Sequence, residues 1–139
     1  MKRKMTHMIL TAGLSGLFGT AILSAQNSRE VANIPFTFHA QQQTLAAGTY
    51  QIAERGSDGI FQLSGPDRKS IFVGALVPIS ANPNKPHLKF ACYGHECVLS
   101  EISMPGRETA YRVSQSQIDK NLTHKLGIAS MISVPLKAR

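Results

Sequence analysis

The stretch that decides the fold reads Leu88-Lys89-Phe90-Ala91-Cys92-Tyr93-Gly94-His95-Glu96-Cys97-Val98-Leu99-Ser100-Glu101-Ile102. Two apolar runs, residues 88–92 and 97–102, are separated by a short connection that contains Gly94. Runs of strand length on both sides of a short glycine-containing connection are typical of a β-hairpin. The sequence therefore predicts two antiparallel strands that are joined by a tight turn.

The two cysteines of the chain lie opposite each other in this predicted hairpin. If Tyr93 and Glu96 form the hydrogen-bonded closing pair, Cys92 and Cys97 form the next, non-hydrogen-bonded pair, in which Cα atoms are about 4.5 Å apart. That separation is near the short end of the disulfide range, so we predict a structural disulfide. A zinc site that adds His95 to the two thiols and a redox-active pair are the alternatives. No metal is assigned, because no fourth ligand with a recognised spacing follows.

Shorter runs of the same kind precede the hairpin. In residues 34–39 the side chains of Ile34, Phe36 and Phe38 share one face, which is the period of a half-buried strand. Further runs of strand length, bounded by turn residues, occupy residues 49–53, 60–63 and 70–80. Residues 82–86, which read Asn-Pro-Asn-Lys-Pro, are predicted as a loop. Short strands at this regular spacing predict an all-β fold, either a small antiparallel β-sandwich or a barrel.

The C-terminal part has a different pattern. Apolar side chains recur there at intervals of seven and four, at Tyr111, Ile118, Leu122 and Leu126. Ser116 lies at the start of this segment and Gly127 directly follows it, which are helix start and stop signals. We predict one C-terminal α-helix at about residues 115–126, followed by a final strand or a tail over residues 128–134.

The first 25 residues have the composition of a secretory signal peptide. Basic residues at 2–4 are followed by the uncharged, apolar segment 8–23 and then by small residues. This order predicts export, with cleavage between Ala25 and Gln26. The apolar segment is shorter than the roughly 20 strongly apolar residues of a membrane helix and is diluted by Gly, Ser and Thr. We therefore predict a single exported domain, residues 26–139, without a membrane span.

The residue at position 26, Gln26, also indicates whether a lipid attaches the exported chain to the membrane. A bacterial lipoprotein signal would have cysteine at this position, but the first cysteine of the chain is Cys92. No lipid is expected there, so the domain should be periplasmic or extracellular and not lipid-anchored.

The charge of the mature chain is moderate. Three of the fifteen basic residues lie before residue 5 and all eight acidic residues lie after residue 25, so the mature chain has a net charge of +4. Its basic residues are scattered, whereas nucleic-acid binding needs a concentrated patch. We expect no nucleic-acid partner, and at most weak attraction to anionic envelope polymers.

No catalytic constellation is recognisable. The mature histidines, His39, His87, His95 and His124, are isolated, and no Gly-x-Ser-x-Gly elbow occurs in the mature chain. Glu96, Glu101 and Glu108 form the only local group of carboxylates, which we expect to pair with Arg107 or Arg112 rather than to do acid–base chemistry. No catalytic, metal or cofactor residue is assigned, and binding residues are not identified.

Several short motifs together resemble an uncharacterised family of small secreted bacterial proteins of the acidobacterial type. The pattern PFxF…TLPAGTY…YG…LSE…PG is matched in order by Pro35-Phe36-Thr37-Phe38, Thr44-Leu45-Ala46-Ala47-Gly48-Thr49-Tyr50, Tyr93-Gly94, Leu99-Ser100-Glu101 and Pro105-Gly106. The resemblance covers residues 31–112, whereas residues 113–139 fall outside it. Ala46 replaces the usual proline, and Cys92 and Cys97 replace residues that are usually not cysteine. The resemblance implies a secreted β-rich fold; the family has no established activity, so it indicates no catalytic residue.

These observations favour a secreted, non-enzymatic β-domain of the cell envelope or extracellular space, with a binding or structural role. Its partner would be a protein or an envelope polymer. One alternative is a small-molecule carrier with a pocket inside a β-barrel. The other is a hydrolase that uses the Glu96–Glu108 neighbourhood.

Overall fold

The computed structural model describes residues 29–56, 59–74, 76–114 and 117–139. The predicted signal peptide, residues 1–25, and its cleavage site between Ala25 and Gln26 lie outside the described residues. Within those ranges the chain forms the strands β1 Glu30–Ile34, β2 Phe38–Ala40, β3 Gln43–Leu45, β4 Gly48–Arg55, β5 Ile60–Ser64, β6 Ser70–Val73, β7 Leu76–Ser80, β8 His87–Tyr93, β9 Glu96–Ser103, β10 Thr109–Val113, β11 Ser130–Pro135 and β12 Lys137–Ala138, and the helix α1 Gln117–Leu126. The predicted class, all-β with one C-terminal helix, is confirmed.

The strands form two sheets that pack as a small sandwich. The first sheet has the order β12-β1-β4-β5-β6, and all its neighbours are antiparallel. The second sheet has the order β11-β8-β9-β10-β7, and β2 adds to β9 in parallel while pairing with β3. The prediction had left open a sandwich or a barrel, and the two separate strand orders identify the sandwich.

The hairpin predicted from residues 88–102 is at the centre of the second sheet. Strands β8 and β9 pair over their whole length, with Tyr93 opposite Glu96 and Cys92 opposite Cys97. The register shifts next to Phe90, because Ser100 is an extra residue of β9 in this ladder. Such a β-bulge bends the strand and increases its twist.

Two runs that were predicted as single strands are each divided between the sheets. Residues 34–39 do not form one strand: β1 ends at Ile34 in the first sheet, and β2 begins at Phe38 in the second. Pro35 has no N–H to donate, which favours ending the ladder there. Residues 70–80 form β6 and β7, which also lie in different sheets and are separated at Gly74. At residues 34–39 the change of sheet preserves the apolar run, because Ile34 and Phe38 are both buried in the same core. Strand β7 differs, because Val77 is 52% exposed and none of its described side chains is buried.

The chain also changes sheets near its C-terminus. The segment predicted as a final strand or a tail forms the strand β11 beside β8, and after Leu136 the chain continues as β12 beside β1. Strands that switch between sheets in this way form the corners of a sandwich. Leu136 is almost fully buried, and its N–H donates to the Pro86 carbonyl at 3.1 Å. This corner places the end of β11 against the loop that precedes β8.

Aromatic side chains fill the space between the sheets. Phe38, Phe61 and Phe90 are fully buried. Phe38 packs edge-on against both Tyr50 and Phe90, with ring centroids 5.2 Å apart in each pair, so side chains from both sheets meet in one cluster. The disulfide-bonded Cys92 is part of the same core.

The predicted helix is confirmed as α1 over Gln117–Leu126, and the predicted start at residues 115 and 116 lies outside the described residues. Tyr111 does not belong to its apolar stripe but to β10, where its ring packs against Phe61. Leu126, the last apolar residue of the stripe, is 57% exposed. The clearest attachment of α1 is made by Tyr93, whose hydroxyl donates to Asp119 at 2.9 Å and lies 2.7 Å from Thr123 Oγ1. Within the described ranges no helix has the length and apolar composition needed to cross a membrane.

Candidate functional site

An open groove lies at the corner where β11 ends beside the start of β8. Its volume is about 610 Å³, within the range of small-molecule sites. We call it the corner groove; it is lined by Asn82, Asn84, Lys85, Pro86, His87, Lys89, Ser133, Pro135 and Leu136. Its walls combine proline and leucine surface with amide, hydroxyl, imidazole and ammonium groups.

Strand alternation brings these side chains to one face. Leu88 and Phe90 of β8 are fully buried in the core, so His87 and Lys89 lie on the opposite, outer face of the sheet. Ser133 is directly opposite Lys89 on β11, and the next such pair joins Pro135 to His87. One wall of the corner groove is therefore built from four residues of two adjacent strands.

The other wall is the loop of residues 82–86, which the sequence predicted as a loop. Asn82 shapes it, because its side-chain oxygen accepts from the Asn84 N–H at 2.9 Å and its carbonyl accepts from the Lys85 N–H at 3.1 Å. These bonds form an Asx turn within a β-turn. The Pro83 carbonyl accepts from the Gly106 N–H at 3.0 Å, which ties the loop to the β9–β10 connection.

Glu101 organises the charged groups beside the corner groove. Its carboxylate is 11% exposed and lies on β9 directly opposite Lys89. One oxygen is 3.2 Å from Lys89 Nζ, and the other is 3.0 Å from His87 Nε2. A carboxylate with so little exposure is costly unless it is paired, so these contacts fix the positions of both basic side chains.

The second nitrogen of His87 also has a partner. Nδ1 lies 2.7 Å from the Lys85 carbonyl oxygen. A carbonyl oxygen only accepts, so Nδ1 carries a hydrogen atom. A further proton lies between Nε2 and Glu101, on one atom or the other, because two acceptors would repel at 3.0 Å. Both ring nitrogens of His87 thus have hydrogen-bond partners, which fix the orientation of the ring.

A second polar cluster lies near the tip of the central hairpin. His39 of β2 contacts Glu96 of β9 through Nε2 at 2.5 Å and Thr44 of β3 through Nδ1 at 3.0 Å. A neutral ring that donates to Glu96 and accepts from the Thr44 hydroxyl satisfies all three groups. Thr44 is also the direct cross-strand partner of His39, so this contact is part of the β2–β3 pairing. Thr44 borders a cleft of about 150 Å³, far smaller than the corner groove.

The structure does not bring the predicted carboxylate group together. Glu96 pairs with His39 near the hairpin tip, whereas Glu101 pairs with His87 and Lys89 toward the other end of β9. The expected pairing of these residues with arginine is wrong, because histidine and lysine are their partners. The partner of Arg107 is Glu54, and the side chain of Glu108 is exposed.

The structure has the disulfide that the spacing predicted. Cys92 and Cys97 are bonded, with their Cα atoms 4.0 Å apart. Both side chains are buried, and His95 is exposed at the turn between them. Within the described ranges no group of three or more His, Cys, Asp or Glu side chains is arranged to hold a metal ion.

Sequence reasoning missed both histidine clusters. His39 and Glu96 are 57 positions apart, and His87 and Glu101 are 14 apart. The second cluster could be predicted only in part from the hairpin. The register that pairs Cys92 with Cys97 would place Lys89 opposite Ser100, and the bulge at Ser100 shifts Glu101 into that position. The first depends on the parallel pairing of β2 with β9, which no local pattern indicates.

Two tyrosines have perturbed ionisation. Burial, with a smaller contribution from the negative charge of Asp67, raises the pKa of Tyr50, whose hydroxyl donates to the Ala46 carbonyl at 2.6 Å. At Tyr93 the hydrogen bond with Thr123 favours the phenolate, but burial and the Asp119 carboxylate together outweigh it and raise the pKa. Both phenols are therefore held in the neutral form.

No protein-family model, curated protein or solved structure matches this chain.

Proposed function

We propose that the mature chain is a secreted, non-enzymatic binding domain of the bacterial cell envelope or extracellular space, and that the corner groove is its binding site. The observation that carries this proposal is the size and mixed lining of the corner groove. An open groove with apolar walls and a few fixed polar groups has the general character of a ligand site. The ion pairs of Glu101 hold His87 and Lys89 in place before a ligand arrives.

Exposed apolar side chains also lie on β11 and in the connection that precedes it. Met131 lies two residues before Ser133 on β11, so their side chains share the outer face, and Met131 is 53% exposed. Ile128, in the connection between α1 and β11, is 98% exposed. Exposed apolar surface beside a polar-rimmed groove supports contact with a partner larger than a metabolite.

Two alternatives have weaker support. A carrier would need an enclosed pocket, but Phe38, Phe61 and Phe90 fill the space between the sheets where they meet. A hydrolase in the Glu96–Glu108 neighbourhood would need carboxylates near each other. Glu96 and Glu101 instead have separate partners at different ends of β9.

Sedimentation with purified bacterial sacculi that retain their attached polymers tests the proposal. Ser133→Trp fills the corner groove from an exposed position and should abolish co-sedimentation. Thr49→Trp, on an exposed position of β4 in the other sheet, is the matched control and should sediment like the wild type. Equal sedimentation of both variants, or none by the wild type, would contradict the assignment of the site.

Export has its own test. A native mass spectrum of protein secreted by a bacterial host should give the mass of a chain that begins at Gln26, contains one disulfide and carries no lipid. A mass that includes residues 1–25 or a diacylglyceryl group would contradict the proposed localisation.

A further inference from the structure

We infer that the corner groove binds a segment of a carboxylate-bearing polysaccharide; this inference rests on the proposed function and specifies its ligand. The charges of the groove are the first argument. Lys85 is exposed, and among the described residues its ammonium group makes no ion pair. Lys89 and His87 are basic, and Glu101 has the only carboxylate of the described residues that contacts them. The groove therefore has an excess of positive charge, which favours an anionic ligand.

Hydrogen-bonding capacity is the second argument. The side-chain oxygen of Asn82 is occupied by the Asn84 N–H, so the amide NH₂ group of Asn82 remains as a donor. Lys85 and Lys89 offer only donors, and Ser133 offers a hydroxyl. A surface rich in donors complements the carboxylate, hydroxyl and ring oxygens of an acidic sugar chain.

The shape and the apolar walls are the third argument. The corner groove is open to solvent, so a segment of a polymer can enter it while the rest of the polymer stays outside. Pro86 and Pro135 present ring CH surfaces rather than backbone N–H groups, which proline lacks. A peptide that adds to a sheet edge is bound mainly through the free backbone groups of a strand. Side-chain donors and proline rings fit the oxygens and CH faces of a polysaccharide better.

Isothermal titration with oligogalacturonate at 0.15 M salt tests the inference. The same oligomer with its carboxyl groups methyl-esterified is the matched neutral ligand, and oligoglutamate is the peptide with one carboxylate per residue. We expect oligogalacturonate to bind the wild type about tenfold or more tighter than either comparison ligand, because hydrogen bonds to charged groups are the strong ones.

Two variants that each remove one positive charge distinguish binding in the corner groove from attraction by the net charge of the chain. Lys85→Gln should weaken oligogalacturonate binding by about fivefold, the upper range for an exposed ion pair, without changing the melting temperature. Lys120→Gln removes the same charge from exposed α1. That residue adjoins the Tyr93 end of β8, about 20 Å from His87, which exceeds the screening distance of about 8 Å. This variant should bind like the wild type.

Each other result overturns the inference. Equal weakening by both variants would mean that attraction depends only on net charge. Equal binding of the esterified oligomer would exclude carboxylate recognition, and tighter binding of oligoglutamate would identify an acidic peptide. None of these outcomes affects the sedimentation result with Ser133→Trp, so failure of this inference and failure of the proposed function are distinguishable.

Discussion

At the residue scale, Glu101 links the stability of the second sheet to the arrangement of the corner groove. It is one of few charged side chains in the described chain that are almost fully buried, and it contacts two basic groups from the neighbouring strand. Burial of the Glu101 carboxylate without those partners would cost free energy. Without Glu101, the side chains of His87 and Lys89 would lose the contact that fixes their positions. One residue therefore serves both the fold and the candidate site.

Replacing Glu101 with glutamine should lower the free energy of unfolding by about 1–3 kcal/mol, because the amide cannot replace the charged hydrogen bonds to Lys89 and His87. Urea denaturation measures the change. Glu108→Gln is the control, since its side chain is exposed and the loss should stay below about 0.5 kcal/mol. Equal stability of the two variants would show that the Glu101 ion pairs contribute nothing.

The disulfide between Cys92 and Cys97 is a second contribution of individual residues to stability. Replacing both Cys92 and Cys97 with serine should lower the free energy of unfolding by about 2 kcal/mol, because the bond closes a short loop and restricts the unfolded chain only modestly. Denaturation of the wild type with and without reductant gives the same comparison without mutation. A reduced protein as stable as the oxidised one would contradict this role.

At the scale of elements, the sequence predicted strands and the helix better than their connections. The hairpin of residues 88–102 and the helix were predictable because each has a local period and a local boundary signal. The division of residues 34–39 was not, because Ile34 and Phe38 face the same core although they lie in different sheets. An apolar pattern reports burial, and it does not report which sheet a strand joins.

Helix α1 is expected to be the least firmly attached element. Tyr93→Phe removes the hydroxyl that contacts Asp119 and Thr123, so we expect a loss of about 1 kcal/mol and faster amide exchange throughout α1. Hydrogen–deuterium exchange measures the second effect. Tyr111→Phe is the matched control, because the hydroxyl of Tyr111 makes no hydrogen bond with the described residues. Unchanged exchange in α1 after Tyr93→Phe would mean that other contacts hold the helix.

At the scale of the whole molecule, tyrosine ionisation should limit stability in alkali. The pKa values of Tyr50 and Tyr93 are raised in the folded chain, whereas an unfolded tyrosine loses its proton near pH 10. Above that pH the unfolded chain binds fewer protons than the folded chain, so stability falls as the pH rises. Denaturation at pH 9 and pH 11 should show this decrease, and the Tyr50→Phe/Tyr93→Phe double variant should show a smaller one. An equal decrease in both proteins would exclude these two phenols as its cause.

The candidate site exists only at the scale of the whole molecule. Its walls come from the loop of residues 82–86, the start of β8 and the end of β11, and about 50 residues of chain separate the first from the last. The sequence did predict the loop, the hairpin and a final strand or tail over residues 128–134. It could not predict that β11 would pair with β8 or that Leu136 would begin a corner beside Pro86, because those contacts depend on tertiary packing.

The central claim is that the corner groove is where this domain binds its envelope partner. The most direct measurement is amide chemical-shift mapping of the ¹⁵N-labelled mature protein during titration with soluble polymer fragments released from bacterial sacculi. We predict saturable shifts at residues 82–89 and 133–136, and their loss in Ser133→Trp. Shifts centred on His39 and Glu96 instead, or no saturable shift at residues 82–89 and 133–136, would contradict the claim.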